Sequence, residues 1–237
     1  MAGDAVTRVS LNELRVRYTR ALQGIGLPAG TAADAAAIAQ WHDIVGLDGA
    51  RRLLDALPRL GETATAPPAL SRQPDGWRLD AAGASLFALG GVLVDTLEMA
   101  ASAGVPAVIL AEARDVAVLG GCADLAAARG LAADLRCADA AGTLTAASDG
   151  ARVWWALRRG PADPDVPANS VVARTARPAA EPGADAGPCR RDPGTIARHR
   201  AAALDRGVPV ADAEWRRIVA LAELCLVEDR ETGIGRS

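Results

Sequence analysis

At 237 residues the chain is long enough for one large or two modest domains with a real core. Its formal charge of −3 is close to neutral and all 26 of its basic residues are arginine, which excludes Schiff-base, P-loop-lysine and lysine general-base chemistry. No basic run is interleaved with aromatics, so nucleic acid is not an expected partner, and with one Phe and one Tyr the core must be built mainly from Ala, Val and Leu.

The first predicted helix opens on a capping box, Ser10-x-x-Glu13, in which each side chain satisfies an orphan N–H of the first turn. Leu11, Leu14, Tyr18, Leu22 and Ile25 follow at helical spacing, and Gly26-Leu27-Pro28 ends the element. A second helix starts at Thr31, buries Ala35, Ile38, Trp41 or His42, and Val45, and stops at Gly46. Asp48-Gly49 turns the chain into a third, short helix around Leu53, Leu54 and Leu57, closed by Pro58. Residues 1–60 therefore read as an N-terminal helical subdomain.

Residues 61–74 read as a Pro/Ala/Thr connector. A turn at Asp75-Gly76 leads to a strand over 77–80, an Ala/Gly-rich passage runs to Gly91, and a helix from Val92 ends at Gly104, a left-handed C-cap. Residues 104–138 then read as a strand (107–111), a polar loop, a Gly120-Gly121 turn, a helix from about Cys122 and a strand (131–137). This alternation implies right-handed crossovers and a partly parallel sheet. Residues 143–158 carry a hairpin pattern around Asp149-Gly150, expected as a type I′ turn, and 170–176 another strand. In Trp154-Trp155 one ring falls on each face of its strand, so one of them is expected to plug the core. The expected domain plan is an α/β core over 75–176, a flexible linker over 177–194, and a C-terminal helix from about Ala211 with a polar tail within 195–237.

Four cysteines (Cys122, Cys137, Cys189, Cys225) show no CxxC pair and no His at metal-ligand spacing, which argues for free thiols in a reducing compartment and against a metal site. The N-terminus lacks a basic-then-apolar signal pattern, and no stretch of about 18 apolar residues offers a membrane span. The expectation is a soluble, cytoplasmic protein with no membrane partner.

A loop that leaves a strand and enters a helix N-terminus exposes unpaired backbone N–H groups, so any active site is expected in 112–122. Cys122 reads either as a thiolate stabilised by a helix dipole or as an inert packing residue. Asp115, beside Arg114 and Glu112, reads either as a general acid/base or as a solvated loop charge. His42 sits at a helix end, where a structural and a catalytic role both fit. The triplet Arg198-His199-Arg200 reads as a grip for a carboxylate or phosphate, or as a solvated face. Gly83-x6-Gly90-Gly91 does not fit the dinucleotide fingerprint.

The segments VSLNEL, GLPAGTAADAAAIAQWHDIVGLDGARRL and VLVDTLEMAASAGVPAVILAEARDVAVLGGCADLAAARGL resemble the malate/L-lactate dehydrogenase family that lacks a Rossmann fold. The resemblance spans 9–139 and is best at LGGCADLAAARGL, while the closing VALAELCLVEDRETGIGRS looks more like an uncharacterised bacterial family. It implies an α/β fold with a mixed sheet, flanking helices and an N-terminal helical subdomain, assembled as a homodimer. Members of the family reduce 2-oxo acids or cyclic imines with NAD(P)H. Here Gly46-Leu47-Asp48-Gly49 stands where the family carries a Ser-His pair, Asp115 stands where a second His belongs, and the later Lys-Gly and Pro-rich cofactor elements have no counterpart. The leading expectation is therefore a diverged enzyme without a cofactor, doing acid/base or thiol chemistry (elimination, isomerisation or cyclisation) on a small carboxylate. In that reading Asp115, Cys122 and His42 are the catalytic candidates, and Arg114, Glu112, Gly120 and Gly121 the substrate-binding ones. The alternatives are an NADP- or NAD-dependent reductase of a 2-oxo acid or cyclic imine, and a catalytically silent binding or partner subunit.

Overall fold

The computed structural model describes residues 5–63, 68–139, 142–160, 163–175 and 190–225. Most of the expected 177–194 linker, Cys189 and the polar tail lie outside the described residues.

The elements run β1 (Val6–Val9), α1 (Leu11–Gly24), α2 (Ala29–Ile44), α3 (Gly49–Thr63), β2 (Ala69–Gln73), β3 (Gly76–Asp80), α4 (Leu86–Ser102), β4 (Ala107–Ala111) and α5 (Leu119–Ala128). They continue as β5 (Ala132–Asp139), β6 (Gly142–Asp149), β7 (Val153–Arg159), β8 (Val171–Arg174), β9 (Arg190–Arg191), α6 (Pro193–Arg206), β10 (Val208–Ala211) and α7 (Asp212–Glu223). A short 3-10 turn, Val116–Val118, separates β4 from α5. Eight strands form one mixed sheet in the order β2-β3-β4-β8-β5-β6-β7-β9, and β1 pairs with β10 in a second, two-stranded sheet.

Among the described residues only β3 and β4 are neighbouring strands that run parallel, joined through α4. β8 enters antiparallel between β4 and β5, so the partly parallel sheet expected from the alternation is present with a late strand inserted in it. β6 and β7 form the expected hairpin, but its turn is not type I′. Among Asp149 and Gly150 only Gly150 has positive φ, and the Asp149 carboxylate accepts from the N–H groups of Ala151 (3.0 Å) and Arg152 (2.8 Å) to close a three-residue loop.

The Ser10 half of the capping box at α1 forms, with Ser10 Oγ accepting from the Glu13 N–H at 3.2 Å. α3 runs through Pro58 to Thr63 rather than ending there. The residues before 76 pair as β2, a sheet edge, instead of a plain connector. α4 starts six residues before Val92, because Ser85 Oγ accepts the Phe87 N–H at 3.2 Å and caps it.

Glycine decides how α2, α4 and α5 pack. Gly120 and Gly121 are not a turn; they form the first turn of α5. A Cβ on Gly121 would meet the Ile38 backbone at 2.7 Å, one on Gly120 would meet Trp155 Cδ1 at 2.9 Å and also Trp41, and one on Gly90 would meet Cys122 Sγ at 3.0 Å. The helices thus approach at backbone distance, and the core they share is filled largely by alanine around Trp41, Tyr18 and Phe87. Trp155 joins the shared core, as one of the tryptophan pair was expected to, and Trp154 is also buried, with Arg152 over its ring. Among the described residues no helix is long and apolar enough to cross a membrane.

Candidate functional site

A cleft of about 800 Å³ opens at the carboxyl ends of the parallel pair β3 and β4, the end at which mixed α/β sheets present their ligand sites. Three segments build it: residues 81–85 after β3, residues 112–116 after β4, and Ala168–Asn169 before β8. Backbone hydrogen bonds lace them together, Gly83 N–H to Glu112 O, Arg114 N–H to Ala84 O and Ala113 N–H to Asn169 O, each 2.9 Å, with Leu86 N–H to Arg114 O at 2.8 Å. α3 supplies Arg59 as the facing wall.

The cleft backbone is strained. Of the five non-glycine residues with left-handed φ among the described residues, four (Ala82, Glu112, Asp115 and Asn169) line it. Such a conformation costs an Ala or Glu about 1 kcal/mol, and clusters of them mark places where the surrounding structure holds a loop for a purpose other than stability.

Its polar groups are arranged unequally. Arg59 donates to Asp115 Oδ1 at 2.6 Å, while Asp115 Oδ2 is sheltered from water without a hydrogen-bond partner. Arg114 is exposed, lies over Gly83 (a Cβ there would sit 3.6 Å from its Nε), and makes no ion pair among the described residues. Glu112 stands exposed at the rim. Asp115 also borders a side pocket of about 150 Å³ with Phe87, Val118 and Arg52, so one carboxylate divides two adjoining spaces.

The loop candidates Asp115, Arg114 and Glu112 thus meet in one cleft, and the other four sequence candidates lie elsewhere. Cys122 is fully buried between α2 and α4, and burial pushes its thiol upward. Its position four residues into α5 leaves the helix dipole too weak an offset, so it is a neutral packing group. Gly120 and Gly121 are the close-packing residues of α5, set against Trp41, Trp155 and Ile38. His42 is fully buried behind the 3-10 turn: its Nδ1 bonds Ile38 O at 2.8 Å, the Ala117 backbone is its other polar neighbour, and burial pushes the imidazole down to about 4. Arg59 and Asn169 were missed by sequence reasoning. Arg59 follows a Pro taken as a helix end, and it meets Asp115 across 56 positions, which no local pattern encodes.

Residues 9–84 match a family model described as "Protein of unknown function (DUF3726)", and no curated protein matches the chain. Solved structures share the fold. A dehydrogenase from Sinorhizobium meliloti superposes with a TM-score of 0.67 at 15% identity over 92% of this chain and 100% of its own. Malate dehydrogenase from Pyrococcus horikoshii OT3 gives 0.67 at 12% identity over 94% and 97%. Sulfolactate dehydrogenase from Methanocaldococcus jannaschii gives 0.64 at 10% identity over 92% and 97%. The chain shares its fold with these dehydrogenase structures.

Proposed function

We propose that the cleft at the ends of β3 and β4 performs acid/base chemistry on a small carboxylate. Arg114 binds the substrate carboxylate and Asp115 moves a proton at a neighbouring carbon. The observation that carries this reading is Asp115 itself: one oxygen held by Arg59 at 2.6 Å, the other left buried and unpartnered, on a loop held in left-handed backbone. A carboxylate fixed at one oxygen keeps a defined orientation, and its unpartnered second oxygen retains the capacity to accept a proton. Arg114, free of intramolecular partners among the described residues, is the guanidinium left to bind an anion.

The second reading, an NAD(P)H-dependent reductase of a 2-oxo acid or cyclic imine, draws its support from the fold likeness to dehydrogenases. A dinucleotide pyrophosphate needs open backbone N–H groups or a cluster of free cations. At this cleft the N–H groups of Ala82, Gly83, Ala84, Ala113 and Arg114 are all donated to other loop oxygens, and Arg59 is committed to Asp115. These groups offer a pyrophosphate no donor, which weighs against the second reading, and no step is routed through such a cofactor.

The test is exchange of substrate carbon-bound hydrogen in D₂O, followed by proton NMR over a panel of small 2-oxo, 2-hydroxy and unsaturated acids. The expected result is exchange with at least one acid, reduced by roughly 10²–10⁴ in Asp115→Asn and weakened in apparent affinity in Arg114→Ala. Exchange at full rate in folded Asp115→Asn refutes the assignment. Saturable NADH or NADPH binding together with turnover of a 2-oxo acid selects the reductase instead.

A further inference from the structure

A second concavity lies away from this cleft, where the C-terminal end of α2 meets α6 and the β1–β10 ribbon. It has a volume of about 280 Å³, at the small end of ligand pockets. Its polar rim is cationic. Arg8 from β1 and Arg206 from the last turn of α6 border it, and Arg8 donates to Gly207 O at 3.3 Å, which holds its guanidinium over the groove. Gly207 sits at φ 73°, and a Cβ there would come 2.9 Å from Val9 O, so glycine lets the chain close in beneath the arginine.

His199 also borders the groove, and its Nδ1 is buried without a hydrogen-bond partner. The triplet that drew attention in the sequence does not work as one grip: Arg198 donates to Thr195 Oγ1 and Arg200 is paired with Asp124. His199 faces two different arginines, brought from β1 and from the end of its own helix. The carboxylates nearby offset little. Asp205 reaches Arg206 at 3.9 Å and is mostly exposed, and Asp43 has both oxygens engaged, by Tyr18 O–H at 2.5 Å and Ala50 N–H at 3.0 Å. Burial pushes Asp43 up to about 7, which further weakens its negative charge near neutrality. Ile44, Ala203 and Val208 make the remaining wall apolar.

From this arrangement we infer that the groove between α2, α6 and the β1–β10 ribbon binds a small organic carboxylate with an apolar body. The carboxylate lies between Arg8 and Arg206, and the body lies along Ile44, Ala203 and Val208. The two arginines supply charge-assisted hydrogen bonds, and the apolar wall selects against a bare inorganic anion.

The experiment is calorimetric titration of the full chain with acetate, hexanoate and inorganic phosphate, performed in Arg114→Ala so that the main cleft does not contribute. Hexanoate is expected to bind more tightly than acetate or phosphate. The added pair Arg8→Ala and Arg206→Ala is expected to weaken it by about tenfold or more, the loss due to one charge-assisted bond. Ala202→Trp, which places a large ring in the groove, is expected to abolish binding too. Absence of saturable hexanoate binding at millimolar concentration overturns the proposal. So does hexanoate binding that survives the arginine pair or the tryptophan, and so does phosphate binding as tight as hexanoate.

Discussion

Replacing Asp43 with asparagine isolates an opposition built into adjacent residues of α2. His42 and Asp43 are both buried, and burial moves them in opposite ways, His42 from 6.5 down to about 4 and Asp43 from 3.8 up to about 7. A histidine with a depressed folded value contributes stability that is present above pH 6.5 and lost as the pH falls through about 4. An aspartate with a raised folded value contributes stability that is present below pH 3.8 and lost as the pH rises through about 7. At about 1.4 kcal/mol per tenfold change, the His42 term is about 3 kcal/mol and the Asp43 term about 4 kcal/mol. Between pH 4 and 6.5 the two slopes run against each other, so the pair leaves the wild-type stability nearly flat across that window. The Asp43→Asn change removes the falling limb and exposes the rising one. The assay is urea unfolding from pH 4 to 8, read as wild-type minus Asp43→Asn stability, in which titrating groups not coupled to Asp43 cancel. That difference is expected to fall by several kcal/mol as the pH rises, most steeply below 7. A difference that stays constant over the window, or grows with pH, refutes the reasoning.

Further outcomes follow from the packing and the strain. Gly121→Ala places a methyl 2.7 Å from the Ile38 backbone, which cannot swing away, and is expected to destabilise by about 2–3 kcal/mol in thermal or chemical unfolding. Glu112→Gly relieves a left-handed glutamate at φ 56° and is expected to stabilise by about 1 kcal/mol; an unchanged or lowered unfolding midpoint contradicts the strain assigned to the cleft. Cys122 and Cys137 are buried while Cys225 is partly exposed, so a thiol reagent on the native protein is expected to label Cys225 and spare the other two until denaturant is added, as mass spectrometry of the digest can show.

Much of the sheet is legible from the residues. The strand at 107–111, the Gly104 cap, the hairpin at 143–158 and the α1 capping box are local signals, each carried by a few neighbouring residues. What escaped is of two kinds. Some signals were present but outvoted: Asp192-Pro193 is an N-cap followed by proline at the first helical position, and its Oδ1 takes the Thr195 N–H at 2.8 Å, yet the surrounding Pro and Gly read as linker and hid α6. β1 and β10 are four residues each, too short for alternation to register, and β10 includes Pro209. Other features have no local signal at all. The Arg59–Asp115 pair, the insertion of β8 and the left-handed Ala82 exist only once distant segments meet. The loop at 112–115 was found because charge is rare in its neighbourhood. Cys122 was over-read because a thiol near two glycines looks the same in sequence whether the glycines open a turn or admit another helix.

The insertion of β8 sets the order in which the cleft can come into being. β3, β4 and their loops can assemble as soon as residue 115 is available, and β5 to β7 can form their own meander, but until 169–174 arrives the two sheets have facing open edges. The hydrogen bond from Ala113 to Asn169 and one wall of the cleft come with that strand. A chain emerging in order from its N-terminus thus carries Arg59, Arg114 and Asp115 well before it has a site for them to line. Closing the gap between β4 and β5 is a long-range step, slow relative to the local hairpin, and it is the step that turns two half-sheets into one sheet with a complete cleft.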